Sequence, residues 1–232
     1  MTNYEPPKKD ALDTSIAACI SNGERLLDDA SYLELADPPS SRLVLVMIAQ
    51  EEFAKALLLV LVRERIIPWT GYLLRAMNNH ACKHLVGIIV EYVEPEWESD
   101  DDIKRIVQEE TELGPRLPVA VGSALNILRH EKIGRWESNN WVWAEEPEYD
   151  RAVEGVAEGA RDRIKQDALY VRLSRNASVA SSPSSVTSVD AEAEASRARR
   201  YLRMVRQANA REVWPLRTYD KVVEGFRALF RK

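Results

Sequence analysis

Residues 51–55 of this 232-residue chain, Glu-Glu-Phe-Ala-Lys, set three charges in the middle of an otherwise apolar helix. Residues 43–49 precede them and residues 56–62 follow, with almost no polar relief. A helix that is apolar on every side packs in an interior, and a charge carried there is costly unless another charge or a hydrogen-bonding group meets it. Glu51, Glu52 and Lys55 therefore need partners. Lys55 lies one turn after both acids, so pairing within the helix is available. The two glutamates stand about 100° apart around the axis and cannot both face one neighbour. A register-fixing ion network and a site lined by carboxylates both satisfy these conditions.

Apolar residues recur at helical spacing along most of the chain. Leu12, Ile16, Ile20, Leu26, Leu27, Ala30 and Leu33 predict an amphipathic helix over 11–36, stopped by Asp37-Pro38-Pro39. Ser40 or Ser41 can cap the next helix, which carries the charged stretch and runs to about 67, before Pro68. A third runs from Thr70-Gly71 to about 93, ended by Pro95. Shorter helices follow at about 100–111, 118–133 and 148–168, with a loop holding Trp141 and Trp143 at 137–149. Residues 174–190 are Ser-rich and read as a linker or an extended surface segment. Thr187 and Asp190 resemble a capping box for a helix over about 190–213, and Pro215 separates it from a last helix at 217–230.

The composition, 45% hydrophobic and 30% charged with few glycines, suits a soluble, helix-rich protein. No basic, apolar leader opens the sequence, and no apolar run reaches the roughly 18 residues of a membrane span. With only Cys19 and Cys82, a disulfide framework is not expected, and a cytoplasmic location without membrane contact is the simplest. Net charge is −5, yet from Arg197 onward eleven Lys and Arg stand against three acids. Such an arm can dock on its own acidic domain or on an external polyanion.

The third helix gathers Arg75, Asn78, Asn79, His80, Cys82, Lys83 and His84 within ten residues. His80 and His84 share a face, but no third zinc ligand lies at a recognisable spacing. Glu-x-x-His, which a di-iron bundle requires, does not occur, nor do glycine-rich phosphate loops. No cofactor or metal is therefore expected. Arg75 and His80 form Arg-x-x-x-x-His, a pair suited to RNA cleavage: histidine can take the proton of a ribose 2′-hydroxyl and arginine can steady the phosphorane charge. On a straight helix the two point about 140° apart, so they would meet only by curling round or across a subunit boundary.

Four motifs in order resemble the AbiV type of the HEPN superfamily, the helical domains of bacterial abortive-infection proteins. They are SNGERLLDDASYLELA at 21–36, SRLVLVMIAQEEFAK at 41–55, HACK at 80–83 and IKQDALYV at 164–171. The resemblance implies an all-α, HEPN-like bundle with additional C-terminal helices. The resemblance covers about residues 15–205; together with the composition, the chain is expected to divide into an HEPN-like helical domain at 1–173, the Ser-rich segment at 174–189 and basic helices at 190–232 packing on the bundle. The resemblance implies a homodimer and a role in phage defence exerted on RNA or the ribosome, with Arg75 and His80 as metal-independent endoribonuclease residues. Ala76 departs from the polar residue usual after that arginine. Where His80-x-x-Lys83 meets Glu51, Glu52 and Lys55 across the second and third helices, these residues with Asn79 form one polar cluster, and His80 and Lys83 are the expected partners of the charged stretch. The alternative is a non-catalytic helical module that captures a phage protein through its basic arm.

Overall fold

The computed structural model describes residues 5–97, 99–138, 148–212 and 217–230. The fold is all-α apart from one short hairpin among the described residues. Its axis is α2 (Ser40–Arg63), which buries both apolar blocks and the charged stretch between them. On one side lies α1 (Lys9–Ser31), contributing Leu12, Ile16 and Leu26 to the core. On the other lies α10 (Ser188–Ala210), contributing Ala195, Ala198, Tyr201, Met204 and Val205. The small residues of α10 let its backbone approach α2 closely, while Tyr201 and Met204 fill the space further along.

Helix boundaries differ from those expected at several places. The first helix ends at Ser31, and Tyr32 and Leu35 beyond it are 87% and 96% exposed. Neither Ser40 nor Ser41 caps α2, which starts directly after Pro39. The third expected helix is two: α3 (Gly71–Met77), capped by the Thr70 hydroxyl, and α4 (His80–Val93). Asn78 and Asn79 break it because the Asn79 side chain accepts from the Cys82 amide, a local bond that opens a new helix instead of continuing the old one.

After α5 (Asp100–Leu113), α6 (Val119–Asn126) runs through a π-helical stretch (Ile127–Gly134) into α7 (Arg135–Ser138), further than the expected end at 133. The loop proposed at 137–149, with Trp141 and Trp143, lies largely outside the described residues. The helix expected over 148–168 is divided into α8 (Arg151–Ala157) and α9 (Ala160–Leu169) at Gly159, whose φ of +91° only glycine adopts without strain. The Ser-rich segment forms an antiparallel pair, β1 (Arg172–Leu173) with β2 (Val179–Ser181), fastened to α9 by Ser181 and Arg172 on Asp167. The Thr187–Asp190 capping box forms and starts α10. Pro215 is outside the described residues, and α11 (Thr218–Phe230) follows, seating Val222 and Phe226 in the main core.

The five arginines of α10 and Arg211, which follows its last residue, all meet carboxylates of this chain. Arg199 pairs with Glu192 at 2.5 Å and Arg203 with Glu94 at 2.9 Å. Arg206 reaches Glu24, Arg211 reaches Glu64 at 3.0 Å, and Arg200 lies 3.7 Å from Glu96. Arg197 sits 3.0 Å from Glu91 and also holds Glu194. Of the two docking partners considered for the basic arm, its own acidic domain is the one these arginines contact.

Helices α1 and α2 pack tightly at Gly23. A Cβ placed on Gly23 would lie 2.3 Å from the Phe53 ring, which is fully buried and has no room to retreat. Gly23→Ala should therefore lower unfolding free energy by about 1 to 3 kcal/mol through overpacking. Urea denaturation checks this; an unchanged midpoint would show that the helices part freely.

Candidate functional site

Two consecutive polar residues of α2, Gln50 and Glu51, are buried at 1% and 3% exposure. Glu51 points to the side where α4 and α9 meet α2. His80, the first residue of α4, brings its Nδ1 to 2.7 Å from Glu51 Oε2. One turn later Lys83 places its Nζ 2.6 Å from the same oxygen. From α9, Lys165 Nζ reaches Glu51 Oε1 at 2.7 Å, and His84 Nε2 lies at 3.4 Å. A carboxylate with three cation-bearing or imidazole partners at hydrogen-bond distance and a fourth just beyond is compensated despite its burial.

Burial alone pushes the Glu51 carboxyl up, but the neighbouring His84 imidazole and the Lys165 and Lys83 ammoniums outweigh it and hold the group well below the usual carboxylate range. Glu51 is therefore ionised at neutral pH. An ionised carboxylate accepts only, so its bond to His80 places the imidazole proton on Nδ1. His80 itself has a side chain that is 52% exposed. The result is a half-exposed imidazole, oriented from below by a buried carboxylate, with Nε2 free of that bond. A histidine held in this way can accept or deliver a proton at Nε2.

Glu52 and Lys55 stand apart from this cluster. They bond to each other at 2.7 Å on the side of α2 that faces α1, beside Cys19. Burial, with Glu52 adding to it against Lys55, pushes the Cys19 thiol up to about 11, so it stays protonated. The angle between adjacent helix positions sends the two glutamates to different neighbours. Asn79 likewise serves the α4 cap and not the carboxylate. Arg75, near the end of α3, lays its guanidinium 4.4 Å from the centre of the Trp136 ring and forms no ion pair among the described residues. The angle expected for Arg75 and His80 on one straight helix does not apply, because the Asn78–Asn79 break puts them on separate helices.

Lys165 is the main participant that sequence reading did not identify. It sits in IKQDALYV, where the pattern marked family and not chemistry, and its buried position at 8% exposure is a product of α9 packing on α2. Asp162, one turn earlier on α9, bonds Lys165 at 3.0 Å. The nearest donor atoms of Glu51, His80 and Asp162 all lie within 4.8 Å of one another.

Beside this cluster runs a second buried network. Arg161 grips Glu194 through both carboxylate oxygens, at 2.8 and 2.5 Å, and reaches Gln50 Oε1 at 3.1 Å. Gln50 in turn donates to the Glu194 carboxylate at 2.8 Å. Burial would raise the Glu194 carboxyl, but Arg161 and Arg197 bring it down to about 2. Arg197 carries the network to Glu91, which accepts from the Tyr201 hydroxyl at 2.8 Å.

A family model described as AbiV, of HEPN type, matches residues 11–203. The chain belongs to the AbiV family of HEPN proteins. No curated protein and no solved structure matches it. The matched span holds Glu51, His80, Lys83 and Lys165 together with most of α10, so this AbiV-type chain carries its whole buried cluster inside the family's extent.

Removing one glutamate should be far worse than removing the other. Glu51→Ala leaves Lys83 and Lys165 buried without their acceptor and should cost about 3 to 5 kcal/mol, whereas Glu52→Ala, losing one half-buried pair, should cost about 1 kcal/mol or less. Equal melting curves for the two variants would contradict the assignment.

Stability should also fall with acid in two steps. Burial pushes the His84 imidazole below its ordinary value, with Glu51 opposing, and burial does the same at His130. Each binds a proton more readily when unfolded, so stability is present above about pH 6.5 and declines as pH drops below it. Glu51 and Glu194, held low, add a second decline below about pH 4.5. Thermal melts across pH should show both, and His84→Gln should flatten the first.

Proposed function

We propose that this AbiV-type HEPN protein is an anti-phage abortive-infection effector acting on RNA or the translation machinery, with His80 as its acid–base group. The observation that carries this reading is the His80–Glu51 dyad: an exposed imidazole held at 2.7 Å by a carboxylate that is 3% exposed. Burying an ionised carboxylate under a surface histidine is energetically demanding, and the orientation it imposes is what proton transfer needs. In such a reaction His80 Nε2 removes the proton of a ribose 2′-hydroxyl as it attacks the adjacent phosphorus, the P–O5′ bond breaks to leave a 2′,3′-cyclic phosphate, and the imidazolium, stabilised by Glu51, returns the proton to the departing 5′-oxygen. Arg75, placed over the Trp136 ring with no ion pair among the described residues, offers a guanidinium for phosphate.

The contrary reading, a binding module that grips its partner through the basic arm, finds less support. The α10 arginines already contact carboxylates of this chain, so their charge is largely spoken for. A homodimer would allow Arg75 of one copy to approach His80 of the other.

Purified protein incubated with total RNA in a chelating buffer should cleave it, and His80→Ala should reduce the rate by about 10²-fold or more while the melting curve is retained. The same variant should fail to protect cells in a plaque assay. Undiminished cleavage by His80→Ala, or no cleavage by the wild type, would refute the catalytic role.

A further inference from the structure

We propose that Glu51, His80 and Asp162 form a seat for a transition-metal ion of the zinc class, which the Lys165 ammonium closes by standing in it. The donors come from three separate helices, α2, α4 and α9, and their ligand atoms lie within 4.8 Å of one another. Lys165 Nζ is 2.7 Å from Glu51, 3.0 Å from Asp162 and 3.2 Å from His80 Nδ1. One cationic atom thus touches all three donors, which is the position a bound cation would occupy.

The donor set suits zinc-class ions in kind. Carboxylate oxygens serve zinc as well as magnesium and calcium, and the imidazole nitrogen is the ligand that favours zinc and its neighbours. Two ligands of a tetrahedral zinc ion lie about 3.4 Å apart, so the present spread closes with side-chain rotations of about an ångström. His80 is half-exposed, which provides an entry path and leaves room for a water in the fourth position.

Charge is the barrier, and the lysine is how it is set. Two carboxylates already face Lys83 and Lys165, so a dication added to the intact cluster would be repelled. If the flexible Lys165 stem swings its ammonium out to solvent, Glu51 Oε1 is released while Oε2 keeps Lys83. The two carboxylates then offset the ion's charge. To coordinate through Nδ1, His80 must carry its proton on Nε2 instead, which breaks the bond to Glu51 and occupies the nitrogen that would take a substrate proton. Metal occupancy and proton transfer by His80 therefore exclude one another, and the seat is inhibitory wherever His80 acts as an acid–base group; the metal binding itself does not depend on that role.

Calorimetric titration of the full-length chain with zinc chloride at neutral pH tests the seat. The wild type should bind one ion. His80→Ala and Asp162→Asn should each weaken binding by about tenfold or more, and Lys165→Met, which opens the seat, should tighten it by a similar factor. Absence of saturable binding by the wild type, or unchanged affinity in His80→Ala, would overturn the proposal. So would a folded Lys165→Met variant that binds no more tightly. If circular dichroism shows that Lys165→Met does not fold, the wild-type, His80→Ala and Asp162→Asn isotherms decide the matter.

Discussion

The desolvation of one carboxylate organises this structure. Glu51 sits in the most buried helix of the bundle, where an unpaired charge would cost far more than the few kcal/mol that hold a domain folded. Its compensation comes from His80, Lys83 and His84 on α4 and from Lys165 on α9. A slip of either helix by one residue would turn these groups away, because neighbouring positions differ by about 100° around a helix axis. The ion cluster thereby fixes the rotation and height of α4 and α9 against α2 in a way that interchangeable aliphatic contacts do not.

The adjacent Gln50–Arg161–Glu194–Arg197 network does the same for α10. It ties the late helix to the early one through groups separated by more than a hundred residues, such as Gln50 and Glu194. Arg199 pairs with Glu192 within α10, while Arg200, Arg203 and Arg206 meet acids outside it, so much of the helix's positive charge is answered within the chain. Among the described residues, the Glu51 cluster is the one in which a buried carboxylate meets an exposed imidazole, and that is what separates a candidate site from a purely structural ion network.

Much of this was legible in the sequence. The apolar blocks around residues 51–55 identified the central helix and demanded partners, and the family-like His-x-x-Lys motif at 80–83 supplied two of them. The Thr187–Asp190 capping box was readable because its bonds are local. What escaped reading involved competition between local and continuing structure, or contact between distant segments. The break at Asn78–Asn79 depended on a side chain preferring the Cys82 amide to solvent. Glu52 and Lys55 were grouped with the cluster, yet they turn toward α1. Lys165 gave no sign of its role, since a lysine in an amphipathic helix is ordinarily exposed.

By itself the sequence determined the all-helical class, the central position of the charged helix and the family, since periodicity, caps and ordered motifs are properties of neighbouring residues. Tertiary structure alone decided which acid is the buried one, which lysine answers it and where His80 points. Those outcomes depend on how α4 and α9 rotate against α2. Rotation is chosen by summing burial, charge pairing and packing over the assembled bundle, and no local stretch of chain contains that sum.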